Sequence, residues 1–296
     1  MSATVSAVVV NYNAGTILGD LIRSLIAQDL ITHVVVVDNA SSDGSLQRLE
    51  NEVRDPRLRL VRNADNRGFA AACNQGAALV DSHYLLFINP DCRMDTGALS
   101  QLLAVLRDDP CAGMAGPLIL NADGSEQRGC RRYLPDPRRA LMRVLGFGKP
   151  DAQGKVAGFD LTGTPLPSGP TEVEAISGAC MLLKREVYAK LGGWDEGYFL
   201  HCEDLDLCMR LRSVGMRTLF VPDARVTHVQ GVSSRGRKVF VLWHKHRGMW
   251  RYFTKFQRAA SPVWLTALVW FGIWSRFLML LPDAWLASLR PRHHAA

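Results

Sequence analysis

Three carboxylate positions in this sequence stand where folded chains place chemistry, at the ends or beginnings of regular elements. Asp91 completes Asn89-Pro90-Asp91, directly after the unbroken apolar run Tyr84-Leu85-Leu86-Phe87-Ile88. Asp38 follows Val34-Val35-Val36-Val37 and opens a turn, Asn39-Ala40-Ser41-Ser42-Asp43-Gly44-Ser45, rich in hydrogen-bonding side chains. A carboxylate at a strand end is a hard ligand suited to Mg²⁺ or Mn²⁺, and such an ion bridges the phosphates of a nucleotide. It also accepts a hydrogen bond from a pyrimidine N–H or a ribose hydroxyl. The plainer reading makes both segments turns, with Ser41 or Ser42 capping a helix whose first turn holds Asp43 and Ser45. Asp38 lies too early to be that cap.

The third position, Glu203-Asp204, opens a stretch with Leu205, Cys208, Met209 and Leu211 at helical spacing. Acids in a first turn are favoured by the helix dipole, and the same placement holds a general base rigidly at the edge of a cleft. His228 ends a β-like run and reads first as a satisfied core histidine, with metal ligation as the alternative. Arg67, in Asn63-Ala64-Asp65-Asn66-Arg67-Gly68-Phe69, offers a charge to a phosphate or is a solvated surface arginine.

The elements that must position these groups alternate. Strand-like runs at about 5–10, 33–38, 57–61, 83–88 and 112–119 are separated by helix-like stretches at about 14–27, 43–53, 68–80 and 95–107. That alternation predicts a doubly wound, mostly parallel α/β sheet, and strands without polar alternation must be covered on both faces. Residues 121–172 dissolve into Gly, Pro, Asp and Arg, the composition of a binding loop or lid, or of plain disorder. Order returns with a strand at Ala179–Leu183, helices from Lys184 and Glu203, short strands at 216–221 and 224–229, and a basic-aromatic helix at 237–258.

Charge divides the chain. Residues 231–296 hold eleven Lys and Arg against the single acid Asp283, whereas the rest carries 24 basic and 27 acidic residues. A tail so basic implies an anionic partner. The apolar stretch Val263–Leu281 reaches the lower limit for crossing a bilayer. Its Arg276 and its Trp264, Trp270 and Trp274 suit a helix lying in the membrane surface better. No nucleic-acid recognition motif accompanies the basic residues, so no nucleic-acid partner is expected. Seven cysteines, singly spaced and odd in number, fit a reducing compartment, and the opening Val5–Val10 reads as a strand rather than an export signal.

Taken in order, Val8-Val9-Val10-Asn11-Tyr12-Asn13, Val37-Asp38-Asn39-Ala40-Ser41-Ser42-Asp43-Gly44, Asn66-Arg67-Gly68-Phe69, Asn89-Pro90-Asp91 and Glu203-Asp204-Leu205-Asp206-Leu207 resemble the motifs of the family 2 glycosyltransferases of GT-A fold. The resemblance covers about residues 4–230. The Asn-Pro-Asp version and Trp243-His244-Lys245-His246-Arg247 resemble the rhamnosyltransferase-type subgroup. The resemblance implies a GT-A domain at 1–230, and the basic, aromatic composition of 231–296 reads as a helical, membrane-associating extension. It also implies an inverting transfer, in one displacement, of a sugar such as L-rhamnose from a dTDP-linked donor to a hydroxyl. The acceptor it implies is lipid-linked or a glycan, in cell-wall or surface polysaccharide synthesis, on the cytoplasmic face of the cell membrane.

By the same resemblance, Asn11, Tyr12, Asn13, Asp38, Asn39, Ser41, Arg67, Gly68, Asn89 and Asp91 surround the nucleotide-sugar donor. Asp91 matches the last acid of a metal-binding DxD motif, with His228 completing the site for a divalent cation, Mg²⁺ or Mn²⁺. Asn89 replaces the first acid and weakens that site. Asp204 matches the catalytic base, and Gly178, Trp194, Glu203 and Arg235 fall on the acceptor side. A UDP-hexose donor is the alternative within the class. A sugar-1-phosphate nucleotidyltransferase would need a basic, glycine-rich phosphate loop after the first strand, which Asn11-Tyr12-Asn13-Ala14-Gly15 does not provide.

Overall fold

A computed structural model describes residues 3–137, 139, 159–229 and 237–289. The first half winds as expected: β1 (Val5–Asn11), α1 (Ile17–Ile26), β2 (Ile31–Asp38), α2 (Ser45–Glu52), β3 (Leu58–Arg62), α3 (Phe69–Ala77) and β4 (Tyr84–Ile88). These strands lie in the order β3-β2-β1-β4, every pair parallel. The chain thus steps outward on one side of β1 and returns on the other, which makes the carboxyl ends of β1 and β4 the switch point where open α/β sheets bind ligands. Side chains alternate across the sheet into two cores. Leu86 and Ile88 of β4 join Val5, Val9 and Leu18 on one face, and Leu85 and Phe87 join Val8, Trp194 and Leu207 on the other.

The second half departs from a simple winding. It comprises β5 (Cys92–Met94), α4 (Ala98–Asp108), β6 (Ala112–Leu120), β7 (Arg131–Arg132), β8 (Thr171–Val173), β9 (Ala175–Ile176), β10 (Cys180–Lys184), α5 (Arg185–Lys190), α6 (Glu203–Ser213) and β11 (Arg217–His228). Strand β10 inserts antiparallel between β4 and β6, so its beginning lies at the same edge as the end of β4, with Cys180 opposite Ile88. The two short strands expected at 216–221 and 224–229 are one strand, β11. Its register against β6 jumps between Val221 and Arg225, because Pro222, lacking an N–H, and its neighbours bulge out of the ladder. The end of β11 places His228 opposite Cys92.

The tail forms a hairpin of α7 (Lys238–Phe256) and α8 (Val263–Leu289), joined by a short 3₁₀ turn at Arg258–Ala260. Helix α7 is tied to the α/β unit by charge: Lys255 Nζ lies 2.6 Å from both Asp195 and Asp206, and Arg251 pairs with Asp195 at 2.7 Å. Helix α8 continues through Pro282, beyond the expected end at Leu281. Its window Val263–Ser288 is long and apolar enough to cross a membrane and is only 11% buried. Trp264, Trp270, Phe271, Met279 and Trp285 all face outward.

Candidate active site

The turns after β1 and β2 are knotted together by polar side chains. The fully buried Asn11 amide nitrogen donates to Asp38 Oδ1 at 2.7 Å and approaches Ser45 Oγ at 2.9 Å and Ser41 Oγ at 3.1 Å. Asp38 Oδ2 accepts the Ser41 N–H at 3.0 Å. Asn13 and Ala40 take positive φ values of 55° and 60°, the strained conformations that folded sites retain when surrounding bonds over-determine them. Asn39, also buried, donates to the Gly68 carbonyl at 3.1 Å and accepts from Asn63 at 2.9 Å. Asn11 and Asn39, expected to line the donor pocket, are buried and fix Asp38 and the third turn.

The expected serine cap is absent. Helix α2 starts at Ser45 behind Gly44, which takes the left-handed conformation. Asp43 accepts from Ser45 N and Ser45 Oγ at 3.0 and 2.6 Å. Gly68 is a crossing point: a Cβ there would meet the Phe199 carbonyl oxygen at 2.8 Å, so no side chain fits. Arg67 beside it is exposed. Tyr12 at the rim accepts a hydrogen bond from Arg237 Nη1 at 2.6 Å, with the guanidinium carbon 5.5 Å from its ring centroid.

After β4, Asn89-Pro90-Asp91 meets the end of β11. His228 Nε2 lies 3.1 Å from Asp91 Oδ1 and 3.4 Å from Asn89 Nδ2. Gln127 Nε2 donates to the His228 carbonyl and to Asn121 Oδ1, both at 3.0 Å. Its Oε1 is left to accept from His228 Nδ1 at 2.7 Å. The proton on Nδ1 leaves the Nε2 lone pair, in the neutral ring, facing a carboxylate, an opposition that a cation between them relieves. Asp91, Cys92 and His228 bring ligand atoms within 4.8 Å of one another. The Cys92 thiol instead points at the Ala179 carbonyl, 3.4 Å away, and burial raises its pKa well above the ordinary value. Asp91 and His228, with Asn89 adjacent, thus fit a hard divalent cation sharing its shell with phosphate oxygens. His228 is buried and both its ring nitrogens have partners, Gln127 on Nδ1 and Asp91 on Nε2, an arrangement open to a satisfied core histidine and to a metal ligand.

The third part is α6. His201 and Cys202 both take positive φ, 69° and 71°, and this bend starts the helix at Glu203. Asp204 Oδ2 accepts the Gly178 N–H at 3.2 Å and an ion-pair hydrogen bond from Arg132 Nη2, which also donates to the Ile176 carbonyl at 3.1 Å. Burial alone would raise the Asp204 carboxyl, but the charge and hydrogen bond of Arg132 outweigh it and hold it below the usual range. Glu203 turns inward. Its Oε2 has no partner, and burial, reinforced by the negative charge of Asp204, pushes its pKa upward.

Several expected acceptor-side residues occupy other positions. Glu203 is buried. Trp194 is a core residue, edge-on to Phe69 and Phe87 at 5.6 and 5.2 Å. A Cβ on Gly178 would lie 3.1 Å from Asp204 Cβ, so Gly178 packs directly against Asp204. Arg235 lies outside the described residues, as does the middle of the irregular 121–172 stretch. The two supporting residues that sequence reasoning did not single out, Gln127 and Arg132, come from the near end of that stretch. Neither sits in a repeated spacing or motif that would have marked it.

The sequence profile of "Glycosyl transferase family 2" matches residues 6–162, and that of "Glycosyl transferase family group 2" matches residues 159–289. The chain is 29% identical over 275 residues to N-acetylglucosaminyl-diphospho-decaprenol L-rhamnosyltransferase of Mycobacterium tuberculosis, covering 85% of this chain and 88% of that protein. It is 33% identical over 180 residues to rhamnosyltransferase WbbL of Escherichia coli K12, covering 59% and 63%. Among solved structures, the mannosyltransferase PcManGT from Pyrobaculum calidifontis, in complex with GDP-Man and Mn²⁺, superposes with a TM-score of 0.59. The identity is 19%, over 97% of this chain and 74% of that one. GalNAc-T7 with UDP, GalNAc and Mn²⁺ gives 0.60 at 17% identity, over 98% and 58%. These two show likeness of fold.

Proposed function

Since this chain belongs to glycosyl transferase family 2 and is a glycosyltransferase, we propose that it transfers L-rhamnose from a dTDP-linked donor to a hydroxyl of a lipid-linked glycan, with inversion. The observation that carries this reading is the convergence, at one sheet edge, of a cation-ready pair, Asp91 and His228, and a carboxylate held by Arg132. The Asn89 N–H bonds the Ala179 carbonyl at 2.9 Å, next to Gly178, whose N–H bonds Asp204 at 3.2 Å, so the two corners are neighbours. The sugar and the lipid-linked acceptor follow the names of the mycobacterial and E. coli relatives.

Asp38, fixed by Asn11 and Ser41, accepts a hydrogen bond from the nucleoside, and Tyr12 lies at the rim of the same pocket. Asp91 and His228 would hold a divalent cation, which would supply positive charge against the donor diphosphate. Asp204 receives the acceptor's hydroxyl proton as the new bond forms, since an alcohol is too weak an acid to ionise beforehand. Arg132 pairs with Asp204 and holds that carboxylate in place. We assign the basic, aromatic hairpin of α7 and α8 to the inner surface of the cell membrane, with α8 lying in the interface.

Calorimetric titration of dTDP and UDP into the protein, with and without Mn²⁺, tests the donor side. Metal-dependent binding that prefers dTDP is expected. A preference for UDP points to a hexosyl donor, and no binding to either removes the donor assignment.

A further inference from the structure

We propose that the groove between α7 and α8 holds the polyprenyl chain of the acceptor, with Arg237 at its inner end facing the diphosphate that joins chain to sugar. This rests on the lipid-linked acceptor proposed above and assigns it a place. The groove has a volume of about 570 Å³ and is lined by Arg237, Val239, Phe240, Trp243, Phe277 and Ser288, a size typical of small-molecule sites. Its walls are built rather than incidental. Trp243 packs on Trp274 and Phe277 at 5.2 and 5.7 Å, and Phe277 packs on His246 at 5.6 Å. An occupant must be apolar along its length and negative at one end.

Two observations select a prenyl diphosphate. One wall of the groove is α8, whose outward face is apolar and exposed, so the groove opens where a bilayer would supply a lipid chain. Its inner end reaches the active site. Arg237 bonds Tyr12 at the donor turn, and Phe240 and His244 pack on Phe199 at 5.4 and 4.6 Å. The Phe199 carbonyl receives the Phe69 N–H at 2.9 Å, and Phe199 stands four residues before Glu203 at the start of the base helix. A chain in the groove with its head at Arg237 lies beside Tyr12 of the donor turn, where a cation meets the diphosphate.

The test is photo-crosslinking of the full chain in detergent micelles with a diazirine-bearing farnesyl diphosphate, and mapping of the labelled peptides. Label is expected within Val239–Trp243 and at Phe277. An excess of unlabelled undecaprenyl diphosphate should suppress it, and the same excess of phosphatidylglycerol should not. Phe240→Ser and Phe277→Ser should each lower labelling about tenfold, the scale of one or two lost methylene-sized contacts, with unchanged thermal unfolding as the control for folding. Label on the outer residues Phe271 and Met279, or equal suppression by phosphatidylglycerol, would mean a surface for bulk lipid and overturn the assignment. So would crosslinking of two copies through this face. Labelling requires no turnover, so loss of the rhamnosyl reading would leave it readable. Turnover of a water-soluble acceptor without groove labelling would remove the groove and leave the transferase reading intact.

Discussion

At the residue scale the site is governed by who neutralises each buried carboxylate. Asp204 has a folded pKa below its ordinary value because Arg132 outweighs burial. Its contribution to stability is therefore present above the unfolded pKa and lost as pH falls through the folded one. In Arg132→Ala, burial and the nearby Glu203 act unopposed, so the acid limb of kcat/KM should move to higher pH, with a stability loss of about 1–3 kcal/mol. An unmoved limb would dissociate Arg132 from the base. Glu203 has the opposite sign. Its pKa is raised in the fold, so its contribution is favourable below the unfolded pKa and is lost as pH rises through the folded value. Glu203→Gln should then raise Tm at alkaline pH, with the gain vanishing at acidic pH where Glu203 is protonated in both states. Gln127 acts on the metal corner through the His228 tautomer. Gln127→Leu should weaken Mn²⁺-dependent dTDP binding by about 10- to 100-fold, the usual loss when a ligand's supporting partner is removed. Calorimetry with and without Mn²⁺ separates this from a metal-independent loss.

At the element scale, α6 is held at its beginning. Its start is bent by His201 and Cys202, and α7 crosses so closely there that a Cβ on Gly248 would lie 2.8 Å from the His201 carbonyl oxygen. Further along, the fully buried Asp206 is paired with Arg210 at 2.5 Å and with Lys255 of α7 at 2.6 Å. Lys255→Met leaves Asp206 with a single cation in a dry setting, and should cost about 2–4 kcal/mol in urea denaturation, within reach of the usual loss for breaking a buried pair. A loss below half a kcal/mol would show that Arg210 alone suffices. Because the same helix carries Asp204, kcat should fall in this variant more than donor affinity does.

At the scale of the whole molecule, the basic hairpin is bonded to the helix that carries Asp204. Removal of residues 261–296 should abolish co-sedimentation with anionic vesicles while donor binding is kept, and unchanged sedimentation would refute the membrane role of α8. Much of this architecture was legible in the sequence, because unbroken apolar runs such as Val34–Val37 and Leu85–Ile88 can only be strands covered on both faces. Acids placed directly after such runs must then lie at the ligand-binding edge. The alternation of strand-like and helix-like runs thus determined the fold class, and the motifs around Asp38, Asp91 and Asp204 carried the family resemblance that implied the chemistry. Tertiary structure alone decided which side chains face the cleft and which stand behind it. Asn11, Asn39, Glu203 and Trp194 are polar or aromatic like true ligand contacts, yet they are buried as struts or core. Gln127 and Arg132 arrive from an irregular segment, more than 70 residues from the groups they hold. Periodicity reports only which residues share a face of one element. The partners of a buried charge are set by where distant segments cross, and no local pattern encodes that.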